Sequence, residues 1–170
     1  MFFACTHPEL IDKLIIADMA PKRYANENQN VINTIDSIDL KQYTSRKEVE
    51  GQLRKMLADN ATVQFLLKNL KWKENDSQST GEQLSWKFNF AAIKKNADAL
   101  NEALPETFRF NGQTLFLKGQ RSTYITDSDY ELIKKHFLKT IIETIPDAGH
   151  WVHAENPSVF TRAVIQFLNP

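Results

Sequence analysis

The sequence predicts an α/β fold, with a parallel sheet of buried strands, flanking helices and a mainly helical insertion. Three observations carry this. The apolar runs "LIIA" (14–17), "TLFLKG" (114–119) and "KTIIETI" (139–145) read as strands buried in a sheet. Segments of helical period lie between and after them, the pattern of strands joined by crossovers rather than hairpins. About 90 residues separate the first run from the second, far more than one crossover needs, so much of that block is expected to form a cap of its own.

Taken in order, "MFFAC" reads like the last two turns of a buried helix that begins earlier, and it leads into the strand of "HPELIDKLIIADMAP". Leu14 to Ala17 is expected to be buried on both faces; Asp18 ends the strand and Pro21 prevents its continuation. Val31, Ile32, Ile35 and Ile38 then recur at helical spacing. "TSRKEVEGQLRKMLADN" opens on a Thr or Ser able to cap a helix, with Glu48 in the first turn and a stripe of Val49, Leu53, Met56 and Leu57. "ATVQFLLKNL" predicts a third helix, and "KENDSQSTGE" an exposed loop. Leu84, Trp86, Phe88 and Phe90 alternate as in a half-buried strand that pairs with "LKWK" in a hairpin. "AAIKKNADALNEAL" is helical up to Pro105. "TDSDYELIKKHF" predicts a helix capped by Asp127 or Thr126, and "NPSVFTRAVIQFL" a closing helix with Pro157 near its first position. The expected divisions are 1–21 and 105–170 for the sheet-bearing part and 22–104 for the cap.

Composition narrows the function classes. Among 170 residues, 42% are hydrophobic and 25% charged, ordinary values for a globular protein. Lys plus Arg equals Asp plus Glu, 21 each, which gives no electrostatic reason to expect nucleic acid as a partner. No apolar run is long enough for a membrane span. The start lacks the basic region of a signal peptide, and the single cysteine, Cys5, leaves no internal disulfide, so a cytoplasmic protein is expected. Neither cofactor nor metal is expected: His150 and His153 have no third ligand near them in sequence.

In open parallel sheets, ligands bind at the carboxyl ends of the strands. Three polar features fall there: Asp18, the "GQRSTY" loop and His150 of "DAGHWVHAENP". An aspartate and a histidine converging at one rim make an acid that orients a base. Either alone reads more simply as a turn, a cap or a solvated loop residue. Asp127 is the alternative acid.

"IDKLIIADMAP", "VQFLLKNL…WKFN", "LFLKGQRSTYI" and "AGHWVHAENP" together resemble the small acyl-esterases of the α/β-hydrolase superfamily, the YbfF-type group, over essentially the whole chain. The resemblance implies the C-terminal part of that fold, its sixth to eighth strands plus the cap. It implies hydrolysis of an acyl ester or thioester through an acyl-enzyme, with His150 as the catalytic histidine and Asp18 as the acid. Trp86 and Phe88 from the cap and Trp151 beside the histidine are candidates for contact with substrate. The superfamily's nucleophile lies in G-x-S-x-G, and none of Gly51, Gly81, Gly112, Gly119 and Gly149 begins that motif. The serine and the oxyanion hole are therefore expected upstream of Met1, and the chain alone is expected to be inactive. The strand ending at Asp18 would then expose an edge open to self-association. The rival readings are a dehalogenase or epoxide hydrolase on the same fold, and a non-catalytic remnant that binds a ligand or partner.

Overall fold

The computed structural model describes residues 1–25, 28–73 and 83–169. The chain divides into two compact units, Met1–Tyr24 with Glu102–Pro170, and Ala25–Asn101. The second unit lies three residues inside the expected 22–104 at each end. The reason is local: the Leu104 N–H donates to the Pro21 carbonyl (3.0 Å), and the Tyr24 hydroxyl donates to the Tyr124 carbonyl (2.8 Å), which ties both flanks into the first unit.

The first unit is built on a three-stranded parallel sheet in the order β1 (Lys13–Ala17), β4 (Phe110–Gly119), β5 (Phe137–Ile145). The intervening strands, β2 (Leu70–Trp72) and β3 (Leu84–Trp86), belong to the second unit. Register aligns Ala17 with Leu117 and Leu117 with Glu143, so all three strands end at one rim. Alternation along β4 sends Phe116 to one face, where it packs with Phe137, Ile125 and Ile133, and Leu115 and Leu117 to the other, with Ile145, Val152 and Ala163. Each such side chain contributes roughly 1.5–3 kcal/mol by leaving water. The first face carries α1 (Phe2–Thr6) and α7 (Tyr130–His136); the second carries α8 (Val152–Glu155) and α9 (Pro157–Leu168).

β4 is buried on both faces, but β1 is not: Lys13 to Ile16 are half-buried and Ala17 is exposed. β1 has a partner along one edge only among the described strands, so less of it is covered. α1 likewise buries only Ala4, leaving Phe2 and Phe3 exposed. At α7, Thr126 and Asp129 form a capping box across a preceding single turn of 3₁₀ helix. At α9, Pro157 takes the first turn and Asn156 Oδ1 accepts the Val159 N–H.

The second unit contains α2 (Gln29–Ser37), α3 (Arg46–Met56), α4 (Asn60–Lys68), the antiparallel β2–β3 pair, α5 (Phe90–Lys95) and α6 (Ala97–Leu100). Its core gathers Ile35, Val49, Leu53, Val63, Leu66, Leu70 and Leu84. Ser45 and Glu48 make a reciprocal capping box at the start of α3. Three expectations need correction. Met56 is exposed, because α3 ends there and Leu57, in extended conformation, takes the core position. β3 stops at Trp86, because Asn89 caps α5 through the Ala92 N–H and places Phe90 in a helix. The helix expected up to Pro105 is broken at Asn96. The loop expected at 73–82 lies, beyond Lys73, outside the described residues. No helix among the described residues is long and apolar enough to cross a membrane.

Candidate active site

The three strand ends supply three turns, and each turn holds a part of one cluster. β1 gives Asp18, whose N–H still donates to the Leu117 carbonyl (2.7 Å) in the parallel ladder. Its φ of 46° then turns the chain through the left-handed region, which Asp tolerates better than most residues. The carboxylate is fully buried. Oδ1 accepts the Gly119 N–H (3.0 Å); Oδ2 accepts the Ser122 hydroxyl and lies 2.8 Å from His150 Nδ1. No buried side-chain N or O among the described residues lacks a hydrogen bond, so this carboxylate has its donors in place.

The turns after β4 and β5 are laced together. The Gln120 N–H donates to the Ile145 carbonyl (3.0 Å), the Arg121 N–H to the Ala148 carbonyl (2.9 Å), and the Asp147 N–H to Gln120 Oε1 (3.0 Å). Asp147, at φ 54°, supplies the second left-handed turn. The approach at Gly119 is so close that a Cβ there would lie 2.0 Å from the Gly149 carbonyl oxygen.

Glu155 then clamps the backbone on both sides of His150. Its Oε2 accepts the Gly149 N–H (2.9 Å), its Oε1 accepts the Trp151 N–H (3.2 Å), and Arg121 pairs with Oε2 (2.9 Å). The Gly149 N–H holds this carboxyl below the usual glutamate range against the opposing effect of burial, and Arg121 and the Trp151 N–H add to it.

His150 is 40% exposed while its carboxylate partner is fully buried. An imidazole that gives Nδ1–H to a carboxylate keeps Nε2 as an acceptor, and among the described residues nothing hydrogen-bonds Nε2. The arrangement can therefore take a proton at Nε2 while Asp18 stabilises the resulting cation. Tyr124 stacks on the imidazole, with centroids 3.8 Å apart and planes 20° apart.

No family model matches the chain. Over its whole length it is 32% identical to the sn-1-specific diacylglycerol lipase ABHD11 of Danio rerio, spanning 53% of that protein, and over 94% of its length it is 27% identical to esterase YbfF of Escherichia coli, spanning 58%. A solved marine microorganism esterase superposes on 97% of the chain with a TM-score of 0.87 and 35% identity, with 64% of that structure covered. The chain belongs to the α/β-hydrolase superfamily. It spans about half the length of the curated relatives it matches.

Within this α/β-hydrolase the residues singled out by sequence fall into two groups. Asp18, His150 and Trp151 belong to the first unit, with Trp151 edge-on to His150 at 6.1 Å between centroids. Trp86 and Phe88 belong to the second, where they stack on each other at 5.4 Å. Asp127, the alternative acid, is exposed and pairs with Lys118 (3.3 Å). Asp129 pairs with Lys22 (2.7 Å); burial works against its charged form, but Lys22 and Thr126 hold the carboxyl below the usual range. His153 packs edge-on between Trp151 and Phe160. No cluster of metal-binding side chains occurs among the described residues. Sequence reasoning assigned no role to Ser122, Tyr124 or Glu155. Only Glu155 left a local signal: an acid at the end of a one-turn helix, four residues after Trp151, within reach of the Gly149 and Trp151 N–H groups that precede that helix.

Proposed function

We propose that this chain carries the acid and base of a serine-type hydrolase of acyl esters or thioesters, with Asp18 as acid and His150 as base. The observation that supports it is the 2.8 Å contact between a fully buried, triply hydrogen-bonded carboxylate and Nδ1 of an accessible imidazole. In the reaction, His150 Nε2 removes the proton of a serine hydroxyl as it attacks the acyl carbon. The imidazolium then gives that proton to the leaving alcohol or thiol. Water, activated by the same nitrogen, releases the acid from the acyl-enzyme. Asp18 fixes the tautomer throughout and stabilises each imidazolium.

The sequence holds no G-x-S-x-G, so the serine and the oxyanion-hole donors are supplied by a segment other than these 170 residues. Without them the chain alone is inactive, since a base with no nucleophile or oxyanion hole has little to act on. The test is hydrolysis of p-nitrophenyl esters by the purified chain, alone and mixed with a separately expressed α/β-hydrolase N-terminal half chosen to contain G-x-S-x-G. No turnover alone, and turnover on mixing that His150→Ala abolishes, is the expected result. Robust turnover by the chain alone, or restored turnover that is indifferent to His150→Ala, refutes the assignment.

A further inference from the structure

The loop that follows β4 grips the acid and the base separately. Ser122 donates its hydroxyl to Asp18 Oδ2, and the Tyr124 N–H donates to that same Ser122 oxygen (3.2 Å). Two residues from the serine, the Tyr124 ring covers a face of His150 at 3.8 Å. This ring is itself held. Tyr24 stacks on it at 5.3 Å and 29°, and the Tyr24 hydroxyl bridges the loop by donating to the Tyr124 carbonyl (2.8 Å) and accepting the Ala20 N–H (2.7 Å).

We infer that Tyr124 is a positioning residue for His150: it fixes the plane of the imidazole and presents a π face to the cation that forms when Nε2 is protonated. The inference rests on the proposed role of His150 as base.

Physical chemistry gives the ring two effects. The first is restraint. A hydrogen bond to Asp18 at Nδ1 fixes one atom of the imidazole but leaves the ring free to swing about that contact, and His150 is exposed enough to do so. A parallel ring at van der Waals distance removes the swing. The second is charge. The face of a phenol ring is electronegative, and a cation over it is favoured. Imidazolium is made and consumed twice in each turnover of a serine hydrolase, so a ring that favours it acts on both steps. Tyr24 supports the arrangement as a hydrogen-bond donor; burial pushes its phenol up to about 12, so it stays protonated at any working pH.

The test uses the 170-residue chain and needs no nucleophile. The reporter is the His150 Nδ1 proton, observed by NMR downfield of the amide region because of its bond to Asp18, together with its rate of exchange with solvent. In Tyr124→Leu the exchange is expected to be roughly fivefold faster, the loss of one aromatic pair. Tyr124→Phe, which keeps the ring and drops the hydroxyl, is expected to restore the parent rate. A parent-like rate in Tyr124→Leu overturns the inference, and so does a Tyr124→Phe protein that behaves like the leucine variant. Should Tyr124→Leu not fold, pentafluorophenylalanine at position 124 keeps the shape and reverses the ring's polarity. Acylation of His150 by diethylpyrocarbonate, which attacks only neutral imidazole, is then expected to speed up about threefold at acidic pH, where the protonated form dominates; an unchanged rate there overturns the inference. Failure of the mixing experiment above with these NMR results intact would reject the hydrolase reading and leave the ring's hold on His150 standing.

Discussion

Gly119→Ala is the sharpest perturbation the structure offers. The added Cβ would lie 2.0 Å from the Gly149 carbonyl oxygen and 2.8 Å from the Ala148 carbonyl oxygen. Real Cβ atoms essentially never come within 3.0 Å of another heavy atom, so the nearer carbonyl must retreat by at least 1.0 Å. Neither obstacle is a side chain that can swing away; both are backbone of the turn that carries His150. The glycine is therefore required for close approach and not for its dihedral angles, since no glycine in the described residues has a positive φ. Overpacking of this kind costs about 1–3 kcal/mol. The same displacement strains the Gly119 N–H bond to the buried Asp18 carboxylate, worth about 1.5–3 kcal/mol as a hydrogen bond to a charged group. Together these come to roughly 2.5–6 kcal/mol, readable from urea denaturation of the isolated chain. If the mixed chains hydrolyse esters as proposed, a 1 Å shift of His150 is expected to lower kcat about 100-fold. A Gly119→Ala protein within about 0.5 kcal/mol of the parent, with its downfield His150 proton in place, would refute the reasoning.

The remaining predictions concern a glycine and a charge. Gly51→Ala is the matched opposite, because a Cβ at this helical position meets nothing within 4 Å; α3 is expected to gain about 0.5–1 kcal/mol, seen as a higher urea midpoint. Glu155→Gln removes the charged clamp on the His150 turn. Because the folded-state carboxyl is held below its unfolded value, its stabilisation is present above the usual glutamate range and is lost as pH falls through the folded value. The variant should be less stable than the parent by about 1 kcal/mol at neutral pH, after allowance for partial exposure, and the difference should shrink as pH falls below the usual glutamate range; urea midpoints across that range check this.

How much of this was legible in the sequence follows from the range over which each interaction acts. The strands of the sheet announce themselves as apolar runs, and the Ser45–Glu48 box is a contact between residues three apart, so both can be read locally. Asp18 and His150 could be paired because a parallel sheet brings strand ends to one rim whatever the side chains between them. Ser122 and Tyr124 could not. Their partners, Asp18 and His150, are set by a register that aligns Gly119 with Ile145, and the sequence does not print it. The failure at Phe88 and Phe90 has another cause. Alternating aromatics satisfy a period of two whether or not the backbone continues as a strand, and the helix cap at Asn89 outweighed the pattern. β1 misled for a related reason: an apolar run reports what a strand is suited to bury, and what covers it depends on its neighbours.

The left-handed turn at Asp18 ties the stability of this rim to its chemistry. A non-glycine residue at φ 46° is held there at a cost of about 1 kcal/mol or more, and such a conformation persists only where its surroundings fix it. Here they do so through the side chain itself: the carboxylate that the turn directs inward is bound by donors from Gly119, Ser122 and His150. One donor is the last residue of β4, the second lies in the turn after it and the third in the turn after β5, so one aspartate joins all three strand ends. The imidazole is then both a partner in that junction and the group that the junction aims. Loosening the aspartate would relax its backbone and release the imidazole in the same event, so the contact that orients the proposed base is also one that holds the three turns together.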